Sequence, residues 1–428
     1  MAGSSFANVS KALAVNYDRP FRGKVGWSKG ALAGMITKVV GQGITGPVIP
    51  IRSGNSPAVS NTFSNAQAQA AIQFTKTEQF SPAWVKKYGI AQIDGLLMAA
   101  ASSTGGLFDK FCVQLDGILD GIMNQFSTDI YRSGSGYVGR VASAAQGQVL
   151  ASTTLQLANP EDIVHFSRGM RLQCAHTEFA ALTDGASVVT VTGIADLQRG
   201  LITLSGNLTA GLPGATFGDF IFVEGNHVAS QTAPGCLPGI DAWLPITPAG
   251  TTDATGANRT NDALLLGTII DTTVAGSSYA GANKEDLCIE AITSCARFGG
   301  NPEKMVYFTN PTNYKQLIQT GMSKFRPTTV KGPYGIGFQG ARILATEGEI
   351  MVMPDRYCPV QRSYLLDMST WKFYGAGNAE VPRFLNADGV GEILRMTSED
   401  SVESRAGYYG TIGCNSPVTN VVVVHATN

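Results

Sequence analysis

The longest amphipathic pattern in the chain runs from Leu107 to Arg132. Phe108, Phe111, Cys112, Leu115, Ile118, Leu119, Ile122, Met123, Phe126 and Ile130 recur there at i, i+3, i+4 and i+7. The spacing predicts one helix roughly 40 Å long at 1.5 Å per residue. Thr104 is placed to cap its start, and Gly134 stands just past its end. Gly117 and Gly121 each cost such a helix about 1 kcal/mol, which points to another backbone passing close along that side. A shorter helix is expected over Gly89–Ser102. Two further helices are expected over Asn283–Phe298 and in PTNYKQLIQTG, which opens on proline and closes on glycine.

Elsewhere the period falls to two. In GITGPVIPIRSG and AAIQFTKTEQF, Ile49 and Ile51 and, on the return, Ile72 and Phe74 alternate as in a two-stranded ribbon. Pro47 and Pro50 keep its first strand off the middle of a sheet. A hairpin without a core is marginal alone, so this one must lie on something else. Between Ala158 and Pro248 the segments GMRLQCA, ASVVTVTGI, GLITLSGNL and GDFIFVEGN are short and bounded by Gly, Asp or Asn. They predict a small all-β barrel or sandwich, followed by a linker at PAGTTDATGANRTND. The stretch Tyr334–Phe384 reads as three strands, ARILA, EIMVMPD and SYLLDMSTWKF, forming a surface built for contact. The closing VVVV at Val421–Val424 reads as a buried strand.

Composition changes the picture in two ways. A chain of 428 residues exceeds what one core usually organises, so two or three domains are expected. Charged residues are only 15%, against about 25% in typical soluble domains. Burial of much of the surface against other copies would explain the deficit. No run approaches the ~18 apolar residues of a membrane span, and MAGSSFANVSKALAVNYDR has no secretory pattern. A soluble protein made inside the cell is expected, with no membrane partner.

The formal net charge of −1 excludes a globally basic nucleic-acid binder. Lys11, Arg19, Arg22, Lys24, Lys29 and Lys38 nevertheless meet only Asp18 in the first 40 residues. This basic arm is either a solvated tail or a contact for an acidic partner, whether a neighbouring subunit or nucleic acid. The seven cysteines include no CxxC pair, so reduced structural thiols are expected. Cys288 and Cys295 fall on one face of their helix.

Signals of chemistry are weak. Gly335, Gly337 and Gly340 satisfy GxGxxG, but a strand rather than a helix follows, so the dinucleotide context fails. His165, His176, His227 and His425 are scattered, and there is no GxSxG elbow. Glu161–Asp162 and Glu399–Asp400 sit in loop-like surroundings. Catalytic residues, metal ligands and a cofactor site are therefore not indicated, and an enzyme is not expected.

The order of parts carries a resemblance: basic arm, ribbon hairpin, long helix, strands, β block, a helix-and-strand region and a returning strand. It resembles the major capsid proteins of tailed bacteriophages, whose α+β fold is named after coliphage Hong Kong 97. MVYFTNPTNYKQLIQTG, GEIMVMPDRYCP and SYLLDMSTWKF look like that family's axial domain. The resemblance implies an N-terminal arm (1–33) and an extended hairpin loop (34–79). A peripheral domain with a spine helix (80–157) follows, then an inserted all-β barrel or sandwich (158–250). An axial domain (251–388) and a return to the peripheral sheet (389–428) complete the chain.

It further implies hexamers and pentamers in an icosahedral shell around double-stranded DNA, touched without sequence preference. A separate scaffolding protein, a portal and a decoration protein are the implied partners, and the implied location is the virion, assembled in the host cytoplasm. Ile49, Ile51, Arg52, Phe63 and Phe74 of the ribbon become inter-subunit contact candidates. So do Arg356, Cys358, Pro359 and Arg362, in a loop expected at the axial tip. Gly41, Gly43 and Gly46 are hinge candidates, and Lys11, Arg19, Arg22, Lys24 and Lys29 the electrostatic arm. The lysine and asparagine that some relatives cross-link have no matched positions here. Two alternatives remain: an encapsulin-like nanocompartment shell, and a phage tail or fibre protein that binds carbohydrate through the β block. That block lacks a clustered aromatic platform.

Overall fold

The computed structural model describes residues 30–425 apart from 42–45, 53, 55–57, 73–74, 95–105, 186, 247–252, 258, 260–262, 275, 322–324, 332–336, 346–347, 378–380, 386–393 and 396–399. In chain order α1 (Ala31–Met35), β1 (Thr37–Gly41), β2 (Ile49–Arg52), α2 (Phe63–Ile72), β3 (Thr77–Phe80) and β4 (Val85–Asp94) lead to the long helix α3 (Gly106–Asp129). Next come β5 (Tyr137–Arg140), β6 (Thr154–Gln156), β7 (Arg171–Ala175), β8 (Val189–Asp196), β9 (Leu201–Leu204), α4 (Leu208–Gly211), β10 (Phe220–Val223) and α5 (Ile240–Trp243). β11 (Thr268–Asp271), α6 (Lys284–Arg297), β12 (Met305–Thr309), α7 (Pro311–Gly321), β13 (Phe325–Lys331), β14 (Gly337–Ala345) and β15 (Gly348–Pro354) follow. The chain ends with β16 (Arg362–Asp367), β17 (Trp371–Ala376), β18 (Arg383–Phe384), β19 (Leu394–Arg395), β20 (Ser401–Cys414) and β21 (Val421–Val424).

The first sheet is organised by the 14-residue β20, which carries β17, β18, β19 and β4, with β1 beyond β17. β4 pairs antiparallel with it from Ser401↔Asp94 to Gly410↔Val85. α3 lies across this sheet, and Phe126 meets the rings of Phe373 and Tyr408 edge-on at 5.3 Å each. Gly89 is required beneath the helix, since a Cβ there would overlap Ile118. Residues 89–94 are therefore strand, not the expected short helix. Val85, Lys87 and Ala91 point inward while Lys86, Tyr88 and Ile90 point out. A lysine at an inward position hid the alternation.

α3 agrees closely with its pattern, and Gly134, at φ 90°, stands past its end in the left-handed region glycine favours. The expected backbone neighbour of Gly117 and Gly121 is absent among the described residues, because a Cβ at either would meet nothing within 4 Å.

The second sheet has the order β5-β10-β7-β8-β9-β6. It closes on itself through the bridge Val141↔Leu157, where Ala142 N–H reaches Gln156 O and Ala158 N–H reaches Arg140 O, each at 2.9 Å. The result is a six-stranded barrel around its own core of Leu155, Leu172, Val189, Val191, Ile202, Leu204 and Ile221. Its first strands lie within 137–157, which were expected to belong with the long helix. The barrel thus begins at Tyr137, ahead of the expected boundary at 158.

The third sheet has the order β11-β21-β16-β12-β15-β14-β13, and its central strands β21, β16 and β12 are buried on both faces. α6 and α7 cover one face through Leu287, Cys288, Ala291, Ile292, Cys295 and Leu317. Val306, Phe308, Met353, Tyr364 and Leu366 on the other face enter the main core with Phe126 and Trp243. Double burial explains the unbroken apolar runs MVYFT and VVVV. It also overturns two expectations. β21 belongs here, between β11 and β16, and not with the peripheral sheet.

The stretch Tyr334–Phe384 is largely interior where described, with Ile343, Ile350, Val352, Leu365, Trp371 and Phe373 all buried. SYLLDMSTWKF moreover changes sheets at its turn, since β16 is in the third sheet and β17 in the first. Buried Asn420 fixes that crossing: its Oδ1 accepts from Asp367 N–H at 2.9 Å and from Trp371 Nε1–H at 2.8 Å.

Candidate functional site

Two regions gather the candidate contact residues: a ribbon that leaves the trunk and a polar joint inside it. In the ribbon β2 and β3 pair antiparallel from Ile49↔Phe80 to Arg52↔Thr77, and they join no other strand among the described residues. Its base is anchored. Ile49 and Phe80 are buried in the main core, with Phe80 edge-on to Trp243 at 4.9 Å. Ser81 N–H donates to Thr255 O at 2.9 Å, and buried Arg259 pairs with Asp253 and donates to Trp243 O at 2.5 Å.

Outward from that base, cover runs out. Ile51 is half-buried and Arg52 exposed. Between the strands α2 is exposed along nearly its whole length. Val59 and Phe63 are 87% and 83% exposed, more than any other large hydrophobic side chain described. A helix this short is marginal without packing, so α2 has every reason to seek a surface. The returning strand was expected to include Ile72. Instead the Ala- and Gln-rich NAQAQAA favours helix, α2 ends at Ile72, and only β3 returns. Phe74 lies outside the described residues, as do Gly43 and the arm residues Lys11, Arg19, Arg22, Lys24 and Lys29. Of the other hinge candidates, a Cβ on Gly41 would strike the Trp84 ring and one on Gly46 the Pro82 carbonyl. Both positions need glycine for close approach.

The Arg356–Arg362 loop was expected at an exposed tip. Cys358 and Pro359 are instead buried against the long helix, and only Arg356 is exposed. Asp355 accepts from Tyr131 Oη–H at 2.9 Å and Leu32 N–H at 3.1 Å, and Tyr357 Oη–H reaches Asn124 Oδ1 at 2.6 Å. Asn310 and Asn313 donate to the carbonyls of Cys358 and Val360 at 2.9 and 2.7 Å. Arg362 pairs with Asp241, which also accepts from Tyr364 Oη–H at 2.6 Å. Beside them Arg132 donates to Tyr137 Oη at 2.6 Å and to Asp162 at 3.1 Å.

Burial drives the titration of this joint. It raises the Asp355 carboxyl, although the surrounding donors favour the charged form. Burial, with Arg132 and Arg356 nearby, holds the His165 imidazole well below its usual value. In sequence a run of Asp, Arg, Tyr and Pro reads as a surface loop. Here its polar groups satisfy one another in the interior.

A third region was not singled out in the sequence, where the second half of β4, from Gly89, was expected to be helix. Tyr88 and Ile90 stand exposed on the sheet face opposite α3, beside Lys86. Tyr88 meets Tyr409 edge-on at 5.9 Å, and the Arg383 guanidinium lies 5.0 Å over the Tyr409 ring. Among the described residues no three His, Cys, Asp or Glu side chains are placed to hold a metal ion, and no helix is long and apolar enough to cross a membrane.

The chain matches no sequence-family profile and no curated protein sequence. Among solved structures, a chain of the cyanophage A-1(L) capsid asymmetric unit is similar at a TM-score of 0.50 and 9% identity, over 94% of each chain. A chain of the cyanophage P-SCSP1u capsid is similar at 0.40 and 10% identity, over 94% of this chain and 89% of that one. A chain from Mycobacterium phage Bobi is similar at 0.39 and 11% identity, over 94% and 92%. The first likeness carries the conclusion: the chain has a fold found in a phage capsid.

Proposed function

We propose that the chain is a structural subunit of a tailed-phage capsid, assembling as hexamers and pentamers into an icosahedral shell around double-stranded DNA. The observation that carries this reading is the fold shared with a cyanophage capsid chain over 94% of both chains. The ribbon supports it independently, because its base is locked into the core while α2, with Phe63, is uncovered among the described residues. On this reading Ile51, Arg52 and Phe63 lie over a neighbouring subunit. Residues 251–388 form the axial part, and the basic arm from Lys11 to Lys29 meets a neighbour or the packaged DNA. A scaffolding protein, a portal and a decoration protein complete the particle in the host cytoplasm. Many weak contacts then combine multivalently.

Electron microscopy and sedimentation of the purified, overexpressed protein test the proposal. Closed shells are the expected result. A chain that stays monomeric at high concentration, with its scaffolding partner supplied, overturns it.

A further inference from the structure

Beneath the sheet, where α3 ends, four buried polar side chains lie together. Lys87 points inward from β4, and its Nζ lies 3.3 Å from Cys236 Sγ and 3.6 Å from Asp129 Oδ2. Lys87, Asp129 and Cys236 are all buried. Tyr408 is the cross-strand partner of Lys87, and it is close enough to Asp129 and Cys236 for their charges to act on its hydroxyl. That hydroxyl has no hydrogen bond among the described residues. Unsatisfied buried polar atoms are rare enough to need a reason. A lysine amine in contact with a thiol, beside a carboxylate at ion-pair distance, is an arrangement that oxidation can make covalent.

We propose that Lys87 and Cys236 are a modification site, joined by a sulfur–nitrogen bond when a hydroperoxide oxidises the thiol. In the first step the thiol takes one oxygen from hydrogen peroxide. The O–O bond breaks, an S–O bond forms, water leaves, and sulfur is oxidised by two electrons to the sulfenic acid. In the second step the Lys87 ammonium yields a proton to Asp129 and the free amine attacks sulfur. The S–N bond forms, the S–OH bond breaks, and the hydroxyl leaves as water with the amine's next proton. Asp129 ends protonated, the form that burial already favours, so no uncompensated charge remains in the pocket.

Burial pushes the Cys236 thiol up to about 12, so the reactive thiolate is scarce and the first step is slow. Access comes through the turn that covers the sulfur, where Asn226 O accepts from Sγ–H at 3.6 Å and residues 231–233 are exposed. The bridge would tie β4 to the irregular segment that leads out of the barrel, across 149 positions of sequence.

The folded wild-type chain is treated for hours with hydrogen peroxide, digested without reduction and analysed by mass spectrometry. A Lys87 peptide joined to a Cys236 peptide, lighter than their sum by two hydrogens, is expected. The joined pair should grow with peroxide dose, vanish in Cys236→Ala and in Lys87→Arg, and separate on adding excess thiol. Lys87→Arg keeps a cation opposite Asp129, so its loss of the bridge reports on the amine rather than on folding. Linear peptides throughout, with Cys236 untouched or carrying only added oxygens after surface methionines are fully oxidised, overturn the proposal.

Discussion

The barrel and the ribbon are both excursions from the trunk, and they differ in what stabilises them. The barrel closes six strands over its own core, in which Leu172 and Ile202 are fully buried. The ribbon has two strands, an anchored base and a helix with exposed Phe63. The first is complete within one chain, whereas the second has too little apolar burial to hold its outer half. The difference separates a module added to the subunit from an element whose stability depends on what it docks against.

The largest effect should come from removing the outer ribbon. Arg52 and Thr77 are cross-strand partners, so replacing residues 53–76 by an Asn-Gly turn preserves the base. The subunit should stay soluble with an unchanged melting temperature, and closed shells should disappear in electron micrographs. Normal shells from this variant would show that the ribbon is ornament and the contrast empty.

The barrel should fail in the opposite sense. Leu172→Ala removes a fully buried side chain from its core, at a cost of about 2–5 kcal/mol. Hydrogen exchange should rise over residues 137–223 while β12, β16 and β21 stay protected. Equal loss of protection in the third sheet would mean that barrel and trunk unfold as one unit.

Much of this contrast was legible in sequence, for a physical reason. Local period and turn chemistry specify elements, so α3, α6, α7 and the strands β7 to β10 fall where the pattern placed them. Partnership between distant elements is not local. VVVV announced a buried strand but not its sheet, and SYLLDMSTWKF gave no sign that its halves part company at Asp367. Reading also failed where a polar residue is buried for a partner far away. Lys87 at an inward position gave no sign of a strand ahead of Gly89, and the Asp355–Arg362 loop looked exposed because its partners, Tyr131 and Asp241, lie more than a hundred positions earlier. Of the candidate contacts among the described residues, only Arg52, Phe63 and Arg356 are as exposed as the reading required.

Acid tests the trunk against which both excursions are set. Burial, with Lys284 nearby, lowers the His425 imidazole to about 3, and His165 is also held well below its usual value. Both bind protons more weakly folded than unfolded. Their contribution to stability is therefore complete above about pH 6.5 and is lost as pH falls toward the folded value. Each should cost about 1.4 kcal/mol per pH unit over that window. His425 lies in the third sheet's surroundings, hydrogen-bonded to Ser363 at 2.7 Å. Between pH 6.5 and 5 the trunk's melting temperature should therefore fall, and His425→Gln should flatten the slope. A slope that His425→Gln leaves unchanged would move the acid sensitivity elsewhere.

The smallest effect on the subunit, and the sharpest test of the contrast, is Phe63→Ser. The side chain is 83% exposed among the described residues, so unfolding free energy should change by no more than about 0.5 kcal/mol. If a neighbouring subunit covers it, the substitution forfeits about 1.5–3 kcal/mol of burial at every such contact. The protein concentration at which shells form should then rise about tenfold or more. Light scattering across a concentration series reads the second quantity and denaturant melts the first. A shift in neither would leave Phe63 an ordinary exposed side chain. A shift in the melt alone would mean that the helix packs within its own subunit, and the distinction between ribbon and barrel would then be one of degree.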